Sequence, residues 1–216
     1  MKAMHFEDLP CMPGTGASPE EILASALPLA GTAGQAYVER RGIPVEIADA
    51  IGLRFDEDFG GRPAVLAPLY DHEGTLRSIH GRYLYAQRGQ NKMLTIGHGD
   101  GMIHALKGWH AEPVIIVEGL FDALSLATCG WSCIAPIGRW ASWLPGVTSG
   151  RGVWLGFDTG RPGEADATHY RQRLSEADVH RLLPPAGCKD WNTALVKRGR
   201  GVVTRWLQDH INQDNG

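Results

Sequence analysis

Two apolar segments in the second half of the sequence end on acidic residues. Val114–Val117 runs into Glu118, and 153–157 runs into Asp158. Short, continuously apolar runs are typical of strands buried on both faces of a parallel sheet. Neighbouring parallel strands would bring both carboxylates to one edge of the sheet, with Asp122 in the first turn of the following helix. Because Mg²⁺ takes carboxylate, water and phosphate oxygens, this pattern predicts a magnesium site.

The elements that position these residues alternate between strands and helices. The sequence predicts strands at 114–117, 132–135, 152–157 and 179–183, and helices at 119–128, 162–177, 190–198 and 201–211. Such alternation favours a parallel sheet, whose ligands usually gather beyond the carboxyl ends of the strands.

The first half has a different pattern. After an irregular leader, three helix-start signals occur at Ser18, Thr32 and Pro44. Ser18 is followed by Pro19 and by Glu21, which suits a capping box. Residues 52–108 then predict a small, mainly antiparallel sheet, with strands at 63–70, 76–83, 92–96 and 101–106.

These patterns predict four regions in an α/β protein. They are a leader at 1–17, an α+β subdomain at 18–108, a parallel-sheet domain at 109–200, and a C-terminal helix and tail at 201–216. The hydrophobic share of 43% and charged share of 21% are those of a folded protein. Without a long apolar run or a signal-like start, we expect a cytoplasmic protein with no membrane partner. A net charge of −3 leaves nucleic-acid binding open.

The four cysteines are Cys11, Cys129, Cys133 and Cys188. None of them forms a Cys-x-x-Cys pair with another, which is the spacing that structural zinc sites favour. We therefore expect buried thiols and no zinc.

Three segments of the second half resemble the motifs of the Toprim domain of bacterial, phage and plasmid DNA primases. Residues 117–126 resemble the first, a glutamate that closes a strand and an aspartate four residues later. Residues 158–163 resemble the second, which reads Asp-x-Asp-x-x-Gly in the family, and Lys-Asp-Trp-Asn at 189–192 resembles the closing motif of phage and plasmid primases. Upstream, 41–44 and 81–92 resemble the basic subdomain that precedes Toprim in those primases.

The resemblance implies a Mg²⁺- or Mn²⁺-dependent nucleotidyltransferase that joins ribonucleotides on a DNA template. Glu118 and Asp158 would be catalytic, and the metal ligands would be Glu118, Asp158, Asp122 and Asp190. Nucleotide or nucleic acid would be bound by Arg82, Lys92, Arg139, Arg161, Lys189 and Asn192. Glu118 would also be the base for the attacking hydroxyl. Arg139 stands out independently, because it lies between Gly138 and Trp140 on a loop that follows a predicted strand.

The sequence departs from the family at Gly160, where the second aspartate of the Asp-x-Asp pair is expected. This removes one carboxylate from the predicted metal site. Asp190, Glu164 and Asp166 are the nearby acids that could replace it.

The expected partners are single-stranded DNA and nucleoside triphosphates, in the replication system of a phage, plasmid or other mobile element. Because the sequence lacks the Cys/His cluster with which such primases read template, a helicase or a separate zinc-binding, template-reading protein is a further expected partner. Two alternatives stay open. One is a Toprim module that binds nucleic acid without turnover, and the other is a Toprim nuclease.

Overall fold

The computed structural model describes residues 16–213, and their backbone forms two five-stranded sheets. The predicted leader lies almost entirely outside these residues. The first sheet is antiparallel in the order β1-β2-β3-β4-β5, with β1 Leu27–Pro28, β2 Arg54–Phe59, β3 Arg62–Tyr70, β4 Leu76–Tyr83 and β5 Met93–Gly97. The second has the order β10-β9-β7-β8-β6, with β6 Ile103–Ala105, β7 Val114–Val117, β8 Cys133–Ala135, β9 Gly152–Gly156 and β10 Asp178–Arg181.

Within the second sheet, β10, β9, β7 and β8 are parallel, and only β6 is antiparallel to its neighbour. The predicted fold class, a largely parallel sheet preceded by a smaller helical and antiparallel part, is confirmed. The strand expected at 101–106 is present as β6, but its expected place in the first sheet is wrong, because it pairs with β8. The second sheet therefore begins before residue 109, whereas the domain division at 108 stays a prediction.

Eight α-helices occur among the described residues. They are α1 Pro19–Ser25, α2 Ala33–Glu39, α3 Val45–Ala50, α4 Leu120–Thr128, α5 Leu144–Thr148, α6 Arg161–Arg173, α7 Trp191–Arg198 and α8 Arg200–Gln213. The helix starts read from the sequence are present. Ser18 and Glu21 form a capping box, Thr32 caps α2, and Pro44 precedes α3. No helix in the range 16–213 is long and apolar enough to cross a membrane.

Strand β7 separates two hydrophobic cores, and this explains its continuous apolar sequence. Ile115 and Val117 belong to a core shared with the N-terminal elements and with α4, α7 and α8. Val114 and Ile116 belong to a second core, which also contains residues of α5 and α6. Because the first core runs from the N-terminal helices into the second sheet, the two halves of the protein are packed together.

Candidate active site

Glu118 and Asp158 lie together at the carboxyl edge of the second sheet. Strands β7 and β9 are parallel neighbours, with Val117 opposite Gly156, so the residues that follow them emerge side by side. The backbone amide of Asp158 donates a hydrogen bond to Oε2 of Glu118 at 3.3 Å. Burial, followed by the charge of Asp158, raises the pKa of Glu118. The two residues that the sequence predicts to meet are therefore in contact.

Asp122 is held away from solvent in the first turn of α4. Its side chain accepts hydrogen bonds through Oδ1 from the backbone amides of Trp191 at 3.0 Å and Asn192 at 3.3 Å. The residue is only 8% exposed. Burial, followed by the charges of Asp158 and Asp190, raises its pKa to about 8. These contacts support a role in positioning α7, while direct metal contact by Asp122 stays a prediction.

The segment Lys189–Asn192 is attached to β9 and to Asp122 of α4. The indole of Trp191 is buried and donates from Nε1 to the carbonyl of Gly156 at 2.8 Å. Asp190 is the N-cap of α7, where its Oδ1 accepts from the amide of Thr193 at 2.6 Å. Trp191 thus fixes this segment to β9, next to Asp158.

Asn192 joins the segment to the N-terminal half. Its amide Nδ2 donates to the carbonyl of Arg41 at 2.9 Å and to Oγ of Ser125 at 3.1 Å. Since Asn192 is buried and makes these contacts within the protein, its observed role is to hold elements together. A role for it in nucleotide binding stays a prediction.

The loop after β9 explains the two glycines of the second motif. A Cβ atom on Gly163 would approach the carbonyl oxygen of Asp158 to 1.9 Å, so only glycine fits. Gly160 has φ 94° and ψ −179°, a conformation that is essentially restricted to glycine. Although a Cβ at Gly160 would meet nothing within 4 Å, the backbone disfavours the aspartate that the family carries there.

The three possible replacements for that aspartate differ in their surroundings. Glu164 is paired with Arg181, whose Nη2 lies 2.8 Å from Oε1. Asp190 is used as the cap of α7. Asp166 lines a small crevice together with Glu118, and burial followed by the charge of Asp158 raises its pKa. Asp166 is therefore the replacement whose surroundings support it best.

A cleft of about 450 Å³ contains this acidic edge. Glu118, Asp122, Asp158 and Asp190 line one side, and the first sheet contributes His80, Arg82 and Met93. The Nε atom of Arg82 is buried and has no hydrogen-bond partner among the described residues. An unpaired buried guanidinium N–H is costly to leave without an acceptor. Arg82 thus lines the same cleft as the acidic residues, while its predicted role in binding phosphate stays a prediction.

The other predicted basic residues are placed differently. Lys92 and Arg161 are exposed and are not among the residues that line the cleft. Arg139 is only 8% exposed and donates from Nη1 to the carbonyl of His98 at 3.3 Å. The burial of Arg139 argues against direct contact with a nucleic acid. The binding roles of all three stay predictions.

Sequence reasoning missed two residues that line the cleft, Arg41 and His80. The guanidinium of Arg41 lies 4.3 Å from the ring centre of Phe121, and its hydrogen bonds to Tyr37 and Asn192 are both long, at 3.4 Å. His80 is buried, and its pKa is lowered to about 3 by burial and then by Arg82 and Arg139, so its imidazole is neutral. Side chains alternate between the two faces of a strand, so His80 and Arg82 lie on the same face of β4. This alternation could have indicated that His80 lies near the predicted site.

The acidic edge can be tested for its fit to a divalent cation. No group of three or more His, Cys, Asp or Glu side chains arranged to hold a metal is present within residues 16–213. The carboxylates of Glu118 and Asp158, which line the same cleft, still suit Mg²⁺, because this ion often takes only one or two protein carboxylates and fills its other positions with water and substrate phosphates. The donor set fits a cation that is bound together with a phosphate ligand.

Comparison with solved structures identifies the fold. The zinc-binding and RNA polymerase domains of the Aquifex aeolicus primase are 16% identical over 90% of this chain, with a TM-score of 0.68, and the match covers 62% of that chain. The RNA polymerase domain of Mycobacterium tuberculosis primase DnaG, in complex with a double-stranded DNA oligomer with an overhang, is 13% identical over 88% of this chain and 78% of its own, with a TM-score of 0.67. The primase fragment of the bacteriophage T7 primase-helicase is 17% identical over 78% of this chain and 72% of its own, with a TM-score of 0.59.

The chain thus has the fold of DnaG-type primase catalytic cores, and it spans about 62% of the Aquifex chain. A family profile described as a domain of unknown function, DUF7146, matches residues 15–99, which is less than half of the chain. No curated protein sequence matches.

Proposed function

We propose that this protein is a divalent-metal-dependent, primase-type nucleotidyltransferase that joins ribonucleotides on a single-stranded DNA template. The observation that carries the proposal is the hydrogen bond from the Asp158 amide to the Glu118 carboxylate, at the edge of a cleft that Arg82 also lines. The primase fold supports it. A cleft with carboxylates for a cation and guanidinium groups for phosphates suits phosphoryl chemistry.

Glu118 and Asp158 would hold the cation, with Asp166 as the nearest additional acid. When bound, a divalent cation supplies charge stabilisation at the phosphoryl oxygens and makes the attacking hydroxyl more acidic. Glu118 would accept the proton of the attacking 3′-hydroxyl, and its raised pKa suits a base that must hold a proton.

Arg82 and Arg41 would bind the phosphates of the incoming nucleotide or of the template. Arg82 contributes a guanidinium on the first sheet that lines the cleft beside the acidic residues. Arg41 contributes a guanidinium whose long hydrogen bonds at 3.4 Å leave donors available to a stronger acceptor. Both residues line the cleft, so a phosphate between them would also lie near the acidic edge.

The proposed partners follow from this activity and from the similar proteins. The Aquifex primase structure includes a zinc-binding domain, and the T7 primase is part of a primase-helicase protein. We propose that this protein works with a helicase or with a separate zinc-binding protein that reads the template.

The proposal is tested by primer synthesis from radiolabelled nucleoside triphosphates on single-stranded DNA with Mg²⁺. The wild-type protein should make short RNA, and Glu118→Gln should reduce the rate by about 100-fold or more, because it removes both a cation ligand and the base. Glu73→Gln, in the exposed turn between β3 and β4, is a matched control that should keep full activity. Full activity of Glu118→Gln would contradict the proposal.

A second candidate function is binding of nucleic acid without turnover. The conformation of Gly160 favours it, because the backbone at this position disfavours the expected aspartate. This function predicts an affinity for single-stranded DNA that falls steeply with salt, together with no Mg²⁺-dependent product. The primer-synthesis assay therefore separates the two candidates.

A further inference from the structure

We propose that Lys189 is a built-in cation of the active site, which pairs with Asp158 while the site is empty and moves to substrate phosphates when a divalent cation takes its place. This inference rests on the proposed function and adds to it a residue that sets the affinity for metal and for nucleotide. The pair is direct, since Nζ of Lys189 lies 2.8 Å from Oδ2 of Asp158.

The two side chains of this ion pair differ in their exposure to solvent. The side chain of Lys189 is 71% exposed and that of Asp158 only 15%. An exposed lysine has a long, flexible stem, and ion pairs of this kind are weak because solvent screens them and ordering the stem costs entropy. The ammonium group can therefore leave Asp158 without disturbing the fold.

The backbone of Lys189 is fixed, and its side chain is largely exposed. The amide of Thr159 donates to the carbonyl of Lys189 at 2.8 Å, which links the loop after β9 to the segment before α7. Immediately after Lys189, Asp190 caps α7 and Trp191 is bonded to Gly156. These anchors keep the ammonium group within reach of both Asp158 and the open cleft.

The charges around Lys189 explain why a cation belongs there. The hydrogen bond to Asp158 and the charge of Asp158, followed by the charges of Asp190 and Glu118, raise the pKa of Lys189. With Gly160 in place of an acid, the ammonium offsets half of the charge on the Glu118 and Asp158 pair. A divalent cation must compete with this ammonium for Oδ2 of Asp158, because two positive charges that contact the same oxygen repel each other.

Removing the ammonium should therefore have opposite effects on two ligands. Lys189→Met frees Asp158, so Mn²⁺ should bind roughly two- to fivefold more tightly, which is the fold-change expected for an exposed ion pair. At saturating Mg²⁺ the same variant should bind ATP more weakly by a similar factor, because a phosphate contact is lost.

The test is titration of Mn²⁺ alone into the full chain, followed by electron paramagnetic resonance of the free ion. Wild type is compared with Lys189→Met and with Lys197→Met. Lys197 is an exposed residue in the last turn of α7, and its replacement changes the net charge equally. ATP affinity at saturating Mg²⁺ is measured on the same three proteins.

Tighter Mn²⁺ binding and weaker ATP binding in Lys189→Met, with Lys197→Met like wild type, is the expected result. Unchanged or weaker Mn²⁺ binding in Lys189→Met would overturn the role of Lys189 and leave the proposed function standing. An equal gain in Lys197→Met would also overturn it, since net charge alone would then explain the effect. Failure of all three proteins to bind Mn²⁺ alone would overturn the role of Lys189 in competing with metal, and it would leave the proposed function to the primer-synthesis assay.

Discussion

The two strand ends that form the acidic edge differ in how firmly they are built. After β7, every residue of α4 is buried, and Asp122 is bonded to the backbone of α7. After β9, the chain passes through Gly160 in a conformation reserved for glycine and enters α6, most of which is exposed. The segment after β7 is part of the hydrophobic core, whereas the segment after β9 is a loop that packs next to it. The first motif therefore serves stability as well as chemistry through its side chains, whereas the second depends on the backbone conformation of its glycines.

The largest loss of stability is expected from a substitution at Gly163, in the segment after β9. Gly163→Ala should lower the free energy of unfolding by about 3 kcal/mol or more, because its Cβ would clash with the carbonyl of Asp158 and the backbone must shift. Gly201→Ala in α8 is the control, since a Cβ there meets nothing within 4 Å and should stabilise the helix by up to about 1 kcal/mol. Urea unfolding measures both. If Gly163→Ala is as stable as wild type, the backbone after β9 can shift to accommodate the Cβ atom.

At the first strand end, Asp122→Ala should lower the free energy of unfolding by about 2–3 kcal/mol. The substitution leaves the buried amides of Trp191 and Asn192 without their acceptor. Asp122→Asn keeps an acceptor oxygen and should lose less than half as much in the same urea experiment. If the two variants are equally unstable, the hydrogen bonds to α7 are not the source of the effect.

Restoring the family aspartate with Gly160→Asp should cost about 1–3 kcal/mol of stability, because residues other than glycine are strained at φ 94°. Gly160→Ala carries the same strain without the carboxylate and should lose a similar amount in thermal unfolding. Of the two, only Gly160→Asp should gain affinity for Mg²⁺. A Gly160→Asp protein as stable as wild type would mean that the loop readily adopts another conformation.

A pH dependence of stability is also expected from Asp122. Burial raises its pKa from 3.8 to about 8, so the folded state holds a proton that the unfolded chain releases. Its stabilising contribution is complete below pH 3.8 and is lost as pH rises to about 8, with a slope of at most about 1.4 kcal/mol per pH unit. Asp122→Asn should flatten this slope in urea unfolding between pH 5 and pH 8, whereas Asp209→Asn on exposed α8 should not. An unchanged slope in Asp122→Asn would contradict the assignment.

The features that the sequence predicted correctly are those that depend on local pattern. The capping box at Ser18 and the cap at Thr32 require only neighbouring residues. The meeting of Glu118 and Asp158 follows from the alternation of strands and helices, which makes β7 and β9 parallel neighbours.

The features that were missed depend on pairing between distant segments. The three residues of β6 could join either sheet, because a short apolar strand does not specify its partner. Arg41 lines the cleft, and its backbone carbonyl accepts a hydrogen bond from Asn192, which lies in the other half of the chain. The pairing of Lys189 with Asp158 likewise depends on how α7 packs against β9.

Calorimetric titration of Mg²⁺ in the presence of a non-hydrolysable nucleoside triphosphate tests whether Glu118 and Asp158 form one cation site. Wild type should show saturable binding, and Asp158→Asn should weaken it by at least about tenfold, because one of two carboxylate ligands is lost. Asp209→Asn, on the exposed face of α8, should bind like wild type. Equal Mg²⁺ affinity in wild type and Asp158→Asn would contradict the account.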